Sequence, residues 1–158
     1  MTKEETLAKL AESRQTLHQA IEGLSEEEMT QVKVEGVWTI KDVLGHIASW
    51  EETCLEPIRR YADGGPFEVQ VIEDYMAWNN KQAARKRDVP LDVILEELAT
   101  VRQGLVEAAS RLSAGQWKQR VPFSWGGEGT IAEVLDVFYQ HELEHVRSIQ
   151  RWRGSGSQ

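Results

Sequence analysis

Apolar side chains recur every three or four residues through five segments of this chain, and this spacing restricts its possible folds more than any other feature. A period of 3.6 residues aligns such side chains along one stripe of an α-helix, which must be buried against another element. In the first segment the stripe is formed by Leu7, Leu10, Leu17 and Ile21. The five segments cover approximately residues 2–23, 39–61, 69–87, 90–112 and 130–152.

A β-sheet is not predicted. Strand-like alternation is confined to short runs at residues 32–37 and 119–123, and we find no internal repeat. Helical stripes without a sheet are typical of helices that pack on one another. The sequence therefore predicts an all-α four-helix bundle with short additional helical segments.

Local signals predict where several helices begin. Ser25, Thr39 and Thr130 are each followed three residues later by an acidic residue, the pattern of a capping box. Pro57 lies within the second segment, where its missing N–H and its ring are expected to kink or end the helix near residues 53–54. Arg14 interrupts the first stripe, so its stem is expected to extend along the apolar surface with the guanidinium in water.

Composition excludes several classes of function. A length of 158 residues fits one domain over 1–153, with a flexible tail at 154–158. The formal charge of −8 disfavours nucleic-acid binding, and the longest apolar runs are too short to span a membrane. Cys54, the lone cysteine, can form no internal disulfide, and Met1 leads directly into an amphipathic pattern rather than a signal sequence. We therefore expect a cytoplasmic protein.

Three of the four histidines occupy positions on apolar stripes. His141 and His145 are four residues apart, so their side chains overlie one another on the fifth helix, and His46 lies on the stripe of the second. Three imidazoles could hold a zinc ion and leave a fourth position open, as catalytic sites do. The alternative is that they are hydrogen-bonded histidines of the bundle interior, whereas His18 is predicted to lie at the surface.

A literal H-E-x-x-H motif is also present at 141–145, with Glu142 placed as a possible general base. The 13 residues after His145 contain no further His or Glu ligand, which argues against a zincin metalloprotease. Glu142 and Glu144 are instead expected to be solvated at the flanks of the stripe.

Three segments of the chain carry a recognisable pattern: WTIKDVLGHIASWE from Trp38 to Glu51, QHELEHVRSI at 140–149, and DYMAWN at 74–79. They resemble segments of the DinB-like superfamily, which includes YfiT-type metal hydrolases and thiol-dependent transferases. The resemblance covers nearly the whole chain. It implies an up-down-down-up four-helix bundle holding a divalent metal, commonly zinc or nickel, and it assigns the three ligands to His46, His141 and His145.

The resemblance implies two reactions, hydrolysis of a small substrate or transfer of a low-molecular-weight thiol, and does not choose between them. Trp50 and Asn79 are predicted to contact the small-molecule substrate, although Asn79 could equally be satisfied by neighbouring backbone. No catalytic residue is assigned, and Cys54 is expected to be a buried core residue. A non-catalytic bundle that binds a small molecule, or a partner as a homodimer, is the alternative function.

Overall fold

The computed structural model describes residues 1–155, and within that range it contains seven helices and two short antiparallel hairpins. In chain order these are α1 (Lys3–Ile21), α2 (Glu26–Gln31), β1 (Lys33–Glu35), β2 (Trp38–Thr39), α3 (Ile40–Ala62), α4 (Tyr75–Lys86), α5 (Leu91–Ser110), α6 (Ala114–Lys118), β3 (Val121–Pro122), β4 (Glu128–Gly129) and α7 (Ile131–Gly154). Strand β1 pairs with β2, and β3 pairs with β4.

The predicted capping boxes are confirmed. At the start of α3 the Asp42 N–H donates to Thr39 Oγ1 at 3.1 Å, and the Thr39 N–H donates to the Asp42 carboxylate at 3.0 Å. Ser25 and Thr130 start α2 and α7 in the same way. These reciprocal bonds satisfy N–H groups that a helix end leaves without partners, so they fix where the helices begin.

The four long helices, α1, α3, α5 and α7, run up, down, down and up. Helix α1 is parallel to α7, because Ser13 contacts Glu142 and, further along both helices, Ala20 contacts Arg153. It is antiparallel to α5, since the Lys3 ammonium reaches the carbonyl of Leu112 at the far end of that helix. Helices α3 and α5 are parallel to each other, with Arg59 against Gly104 and Asp63 bonded to Arg111. The predicted four-helix bundle and its order are confirmed.

The apolar interior is divided into two clusters by a layer of buried charges. One cluster surrounds Phe138 and the other surrounds Ile47. Between them lie two arginines and two glutamates, one from each long helix: Arg14, Glu51, Arg102 and Glu142. Ion pairs and hydrogen bonds to backbone carbonyls make this layer compatible with burial.

Two of these residues differ from the sequence prediction. Glu142 is completely buried instead of solvated, because Arg102 and Arg14 together bind both of its carboxylate oxygens and Ser13 donates to one. The pKa of Glu142 is held below its usual value, since these contacts outweigh the effect of burial. Arg14 is directed inward and donates to Glu142 and to the Leu98 carbonyl, so the prediction of a guanidinium in water is wrong.

Helix boundaries differ from prediction in two places. Helix α3 continues through Pro57 to Ala62, because Ile58 and Tyr61 beyond the proline are buried and hold the last turns against the core. Helix α4 begins at Tyr75 rather than near residue 69, since Asp74 caps it and Ile72 is held by a backbone bond to Ser124.

The predicted loop at 113–129 includes α6 and the β3–β4 hairpin. Gly154 is the last residue of α7, and the remainder of the predicted tail, residues 156–158, lies outside the described residues. None of the helices described for residues 1–155 has the length and hydropathy needed to cross a membrane.

Candidate metal centre

The three predicted histidine ligands meet at one point between α3 and α7. His141 Nε2 lies 2.9 Å from His46 Nε2 and 3.1 Å from His145 Nε2. One ligand atom from each ring can be chosen so that all three lie within 4.8 Å of one another. The helical spacing of four residues aligns His141 with His145 on α7. The packing of α3 on α7 places His46 beside this pair.

This donor set fits a divalent cation. Tetrahedral zinc with Zn–N distances near 2.05 Å places its nitrogen ligands about 3.3 Å apart. The separations of 2.9 and 3.1 Å that join His141 Nε2 to the other two Nε2 atoms are close to this value. A ring nitrogen carries either a hydrogen or a lone pair, so without a cation His141 Nε2 cannot form good hydrogen bonds with both neighbours. Three converging imidazole nitrogens are thus better satisfied by a cation than by one another.

Burial keeps two of the rings in the form that binds metal. Desolvation, followed by the charges of the neighbouring imidazoles, lowers the pKa of His46 to about 2. The same causes lower the pKa of His141 to about 4. Both rings are therefore neutral at pH 7, and a metal ion competes with no proton there.

The β1–β2 hairpin supports the centre from outside the helices. His145 Nδ1 donates to Glu35 Oε2 at 2.8 Å, and Ser148 Oγ donates to Glu35 Oε1 at 2.8 Å. Burial of Glu35 raises its pKa, but these two hydrogen bonds outweigh that effect and hold the pKa of the carboxyl below its usual value. A hydrogen on Nδ1 leaves the lone pair of His145 on Nε2, directed at the centre. Trp38 of the same hairpin packs on His46, with ring centroids 4.7 Å apart.

Sequence reasoning missed Glu35. It lies in a run that predicted only a connection between helices, and no spacing pattern links it to His145, which is 110 residues away. Its role depends on how the hairpin docks on α7.

Replacement of Glu35 by glutamine is expected to weaken metal binding about 10-fold to 100-fold, since a carboxylate that orients a ligating histidine has an effect of this size. The measurement is a competitive zinc titration against a chromophoric chelator. Glu144→Gln is the matched control, because it removes the same charge from the exposed residue next to His145. Equal losses in the two variants would show that charge alone matters, and would contradict an orienting role for Glu35.

The stability of the metal-free protein is expected to fall as the pH is lowered from about 6.5 to about 5. The pKa values of His46 and His141 are lowered in the folded state, whereas an unfolded histidine has a pKa near 6.5. In this window the unfolded chain binds protons that the folded chain does not, so protonation favours unfolding. Urea titrations at several pH values measure the effect. A variant with all three histidines replaced by alanine should show a flatter profile, and an equally steep one would contradict the assignment.

A cavity of about 460 Å³ opens beside the histidines. Its aromatic walls are Trp50 from α3, Tyr75 from α4, Trp125 from the 113–129 segment and Phe138 from α7, while His46 and His141 contribute ring surface. This volume is in the range of small-molecule sites. Asn79 also lines the cavity, and its Oδ1 accepts from Trp50 Nε1 at 2.9 Å, so the neighbouring-backbone alternative for this side chain is not what the structure shows.

Other candidate residues are placed away from the centre. Glu142 is bound by Arg14 and Arg102, so it is not free to act as the base of an H-E-x-x-H enzyme. Cys54 is buried, which raises the pKa of its thiol to about 11 and confirms the expectation of a core residue. His18 is exposed on α1, as predicted.

Comparison with known proteins identifies relatives of the chain. The family model of the DinB superfamily matches residues 9–149. The uncharacterized protein YuaE of Bacillus subtilis is 24% identical over an alignment of 148 positions, and the match covers 88% of this chain and 91% of that protein.

Solved structures share the fold at low sequence identity. A mycothiol-dependent maleylpyruvate isomerase is 15% identical with a TM-score of 0.78, and the match covers 94% of this chain but 61% of the isomerase, so this chain spans only part of that enzyme. YfiT from Bacillus subtilis, described as a probable metal-dependent hydrolase with an unusual four-helix bundle topology, is 19% identical with a TM-score of 0.73 over 98% of this chain and 87% of YfiT. The colibactin self-resistance protein ClbS, solved with a double-stranded DNA, is 14% identical with a TM-score of 0.77 over 96% of this chain and 94% of ClbS.

Proposed function

This chain belongs to the DinB superfamily, and we propose that it is a divalent-metal-dependent enzyme acting on a small molecule held in the aromatic cavity. The observation that carries the proposal is the convergence of His46, His141 and His145 through their Nε2 atoms at the edge of that cavity. Zinc or nickel is the metal we expect, because both accept three imidazole ligands.

A divalent ion bound by three histidines supplies Lewis acidity, which lowers the pKa of a coordinated water molecule or thiol and so provides a nucleophile near neutral pH. The residues of the chain have separate tasks. Glu35 keeps the proton of His145 on Nδ1, and Trp38 packs against the His46 ring. Trp50 and Trp125 provide apolar surface in the cavity that also borders His46 and His141.

The substrate is proposed to lie against Trp50 and Asn79, as the sequence predicted. Asp136 and Glu144 are the carboxylates that line the cavity, so they are the groups available there to accept a proton from a nucleophile.

The reaction is either hydrolysis or thiol transfer. The first is supported by the likeness to YfiT, described as a probable metal-dependent hydrolase, and the second by the likeness to an isomerase described as mycothiol-dependent. Both would use the same ligands and the same cavity, and they differ in which nucleophile occupies the open position.

The predictions about nucleic-acid and protein partners rest on the sequence. The charge of −8 argues against a nucleic-acid partner, although the ClbS structure contains a double-stranded DNA. A homodimer and a cytoplasmic location stay predictions.

The experiment that tests the proposal starts with elemental analysis of protein purified without chelators or a histidine tag. We expect about one equivalent of zinc or nickel. Metal-loaded protein is then given activated esters or amides without added thiol, and electrophilic substrates with a low-molecular-weight thiol. Turnover that disappears with a chelator and returns with the metal supports the proposal, and the requirement for thiol distinguishes the two reactions.

Absence of metal, with none taken up on adding zinc or nickel, would overturn the proposal. The histidines would then be polar residues of the interior, and a non-catalytic binding bundle would be the better description.

A further inference from the structure

We propose that the substrate carries a carbonyl group close to the end that reaches the metal, and that Asn79 Nδ2 donates a hydrogen bond to this carbonyl oxygen. This inference rests on the proposed function and specifies its substrate class, a small carbonyl compound with apolar groups. Three observations carry it: the orientation of the Asn79 amide, the rigidity of its support, and the surfaces on either side.

The orientation of the Asn79 amide is fixed by its partner. The indole N–H of Trp50 can only donate, so the amide atom that lies 2.9 Å from it is the oxygen. The two ends of an asparagine amide are otherwise hard to distinguish, and here the donor settles the assignment. Nδ2 therefore lies on the side of the amide away from Trp50.

The support of the amide is rigid. Trp50 is 8% exposed, and its ring packs between Trp78 at 4.4 Å and Tyr75 at 6.0 Å between centroids. The indole therefore has little freedom to turn, and the amide that it holds is oriented before a ligand arrives. A donor held in this way binds an acceptor at a small entropic cost.

The Nδ2 group has no hydrogen-bond acceptor among residues 1–155. Asn79 is half-buried and lines both the cavity and a shallow groove that adjoins it. A donor that lines both spaces is available to a molecule that occupies the cavity and extends into the groove. An amide N–H matches a carbonyl oxygen in polarity and geometry.

The surroundings favour a neutral carbonyl over a polyanion. Val37 and Met76 flank the groove and are 75% and 77% exposed, so they offer apolar surface to a bound molecule. Asp136 and Glu144 line the cavity, and Arg147 is the cationic side chain among its lining residues. A ligand with several negative charges would therefore depend on the metal ion for most of its charge compensation.

The test uses protein loaded with Co²⁺, because a thiolate bound to this ion gives a charge-transfer band from which a dissociation constant can be measured. Two thiols of equal length serve as probes. N-benzyl-2-mercaptoacetamide has a carbonyl next to its thiol-bearing carbon, and 4-phenylbutane-1-thiol has a methylene there. The two thiols differ in acidity, but this difference is the same for parent and variant, so the change in the ratio of their dissociation constants on substitution of Asn79 reports the contact with the amide group.

The main variant is Asn79→Asp, which retains an oxygen for Trp50 but replaces the NH₂ donor. Asn79→Leu removes the donor without adding charge. In both variants the preference for the amide probe is expected to fall about tenfold, the effect of one net hydrogen bond of ordinary strength. Gln15→Leu is the matched control, since it removes an exposed amide on α1, which lines neither the cavity nor the groove, and should leave the ratio unchanged.

The outcomes separate this inference from the proposed function. If Co²⁺ is bound and the ratio is the same in the parent and in both Asn79 variants, the carbonyl contact is wrong and the metal site stands. If Co²⁺ is not taken up, the proposed function fails and this inference fails with it. If Co²⁺ is bound but the amide probe produces no band, the carbonyl contact is wrong, whereas the metal site and the hydrolytic form of the proposed function stand.

Discussion

His141→Ala is expected to abolish stoichiometric metal binding while the bundle stays folded. The Nε2 atom of His141 contacts those of both other histidines, so its removal leaves two nitrogens that face a gap. Structural zinc sites with four ligands bind with about 10 to 16 kcal/mol, or about 3 kcal/mol for each ligand. Loss of one ligand should therefore weaken affinity on the order of 100-fold or more.

The measurement is metal content after dialysis, together with a competitive titration and far-UV circular dichroism. His46→Ala and His145→Ala should behave similarly. His18→Ala is the matched control, because it removes a histidine from the exposed face of α1 and should retain full metal content. Unchanged metal content in all three site variants would end the proposal of a three-histidine centre.

Arg102→Met is expected to lower the free energy of unfolding by about 3 to 5 kcal/mol, the cost of leaving a buried charge without its partner. Arg102 makes two bonds of 2.8 and 2.9 Å to the Glu51 carboxylate and a further bond of 3.0 Å to Glu142. Without the guanidinium of Arg102, the carboxylates of Glu51 and Glu142 are left to pair with the same arginine, Arg14. For a chain of this length the loss corresponds to a decrease in Tm of about 10 °C.

Thermal unfolding of metal-free protein measures this effect. Arg111→Met is the matched control, since Arg111 forms ion pairs with Asp63 and Glu107 at the surface, where solvent screens them, and its loss should change stability far less. The double variant Arg102→Met with Glu51→Leu removes one charge of each sign and should regain much of the lost stability. A loss at Arg102 no larger than that at Arg111 would show that the charged layer is unimportant for stability.

The parts of the fold that could be predicted are those encoded by neighbours in sequence. The cap at Thr39 depends on Asp42, three residues away, and the stacking of His141 on His145 depends on one helical turn, so spacing alone reveals both. The order of the long helices cannot be derived from such patterns, and the resemblance to known proteins supplied it. The same resemblance assigned His46 to the centre.

The errors share a physical cause. Glu142 was predicted to be solvated from its angle on α7, but its partners Arg14 and Arg102 come from α1 and α5 and cannot be inferred from that helix. Glu35 was missed because its contact with His145 joins residues 110 positions apart. Local patterns predict the direction in which a side chain leaves its own helix. Whether a charged side chain is buried depends on the hydrogen-bonding and oppositely charged groups that neighbouring helices place beside it.

Part of the cavity wall lies outside the two helices that carry the ligands of the centre. The three histidines lie on α3 and α7, within the frame of long helices, whereas Tyr75 and Asn79 lie on the short α4 and Trp125 lies on the segment before α7. Changes in α4 or in that segment therefore alter what fits beside the metal without moving its ligands. A bundle arranged in this way can diversify its substrates during evolution by replacing peripheral elements, as barrel enzymes do by exchanging loops on an unchanged barrel.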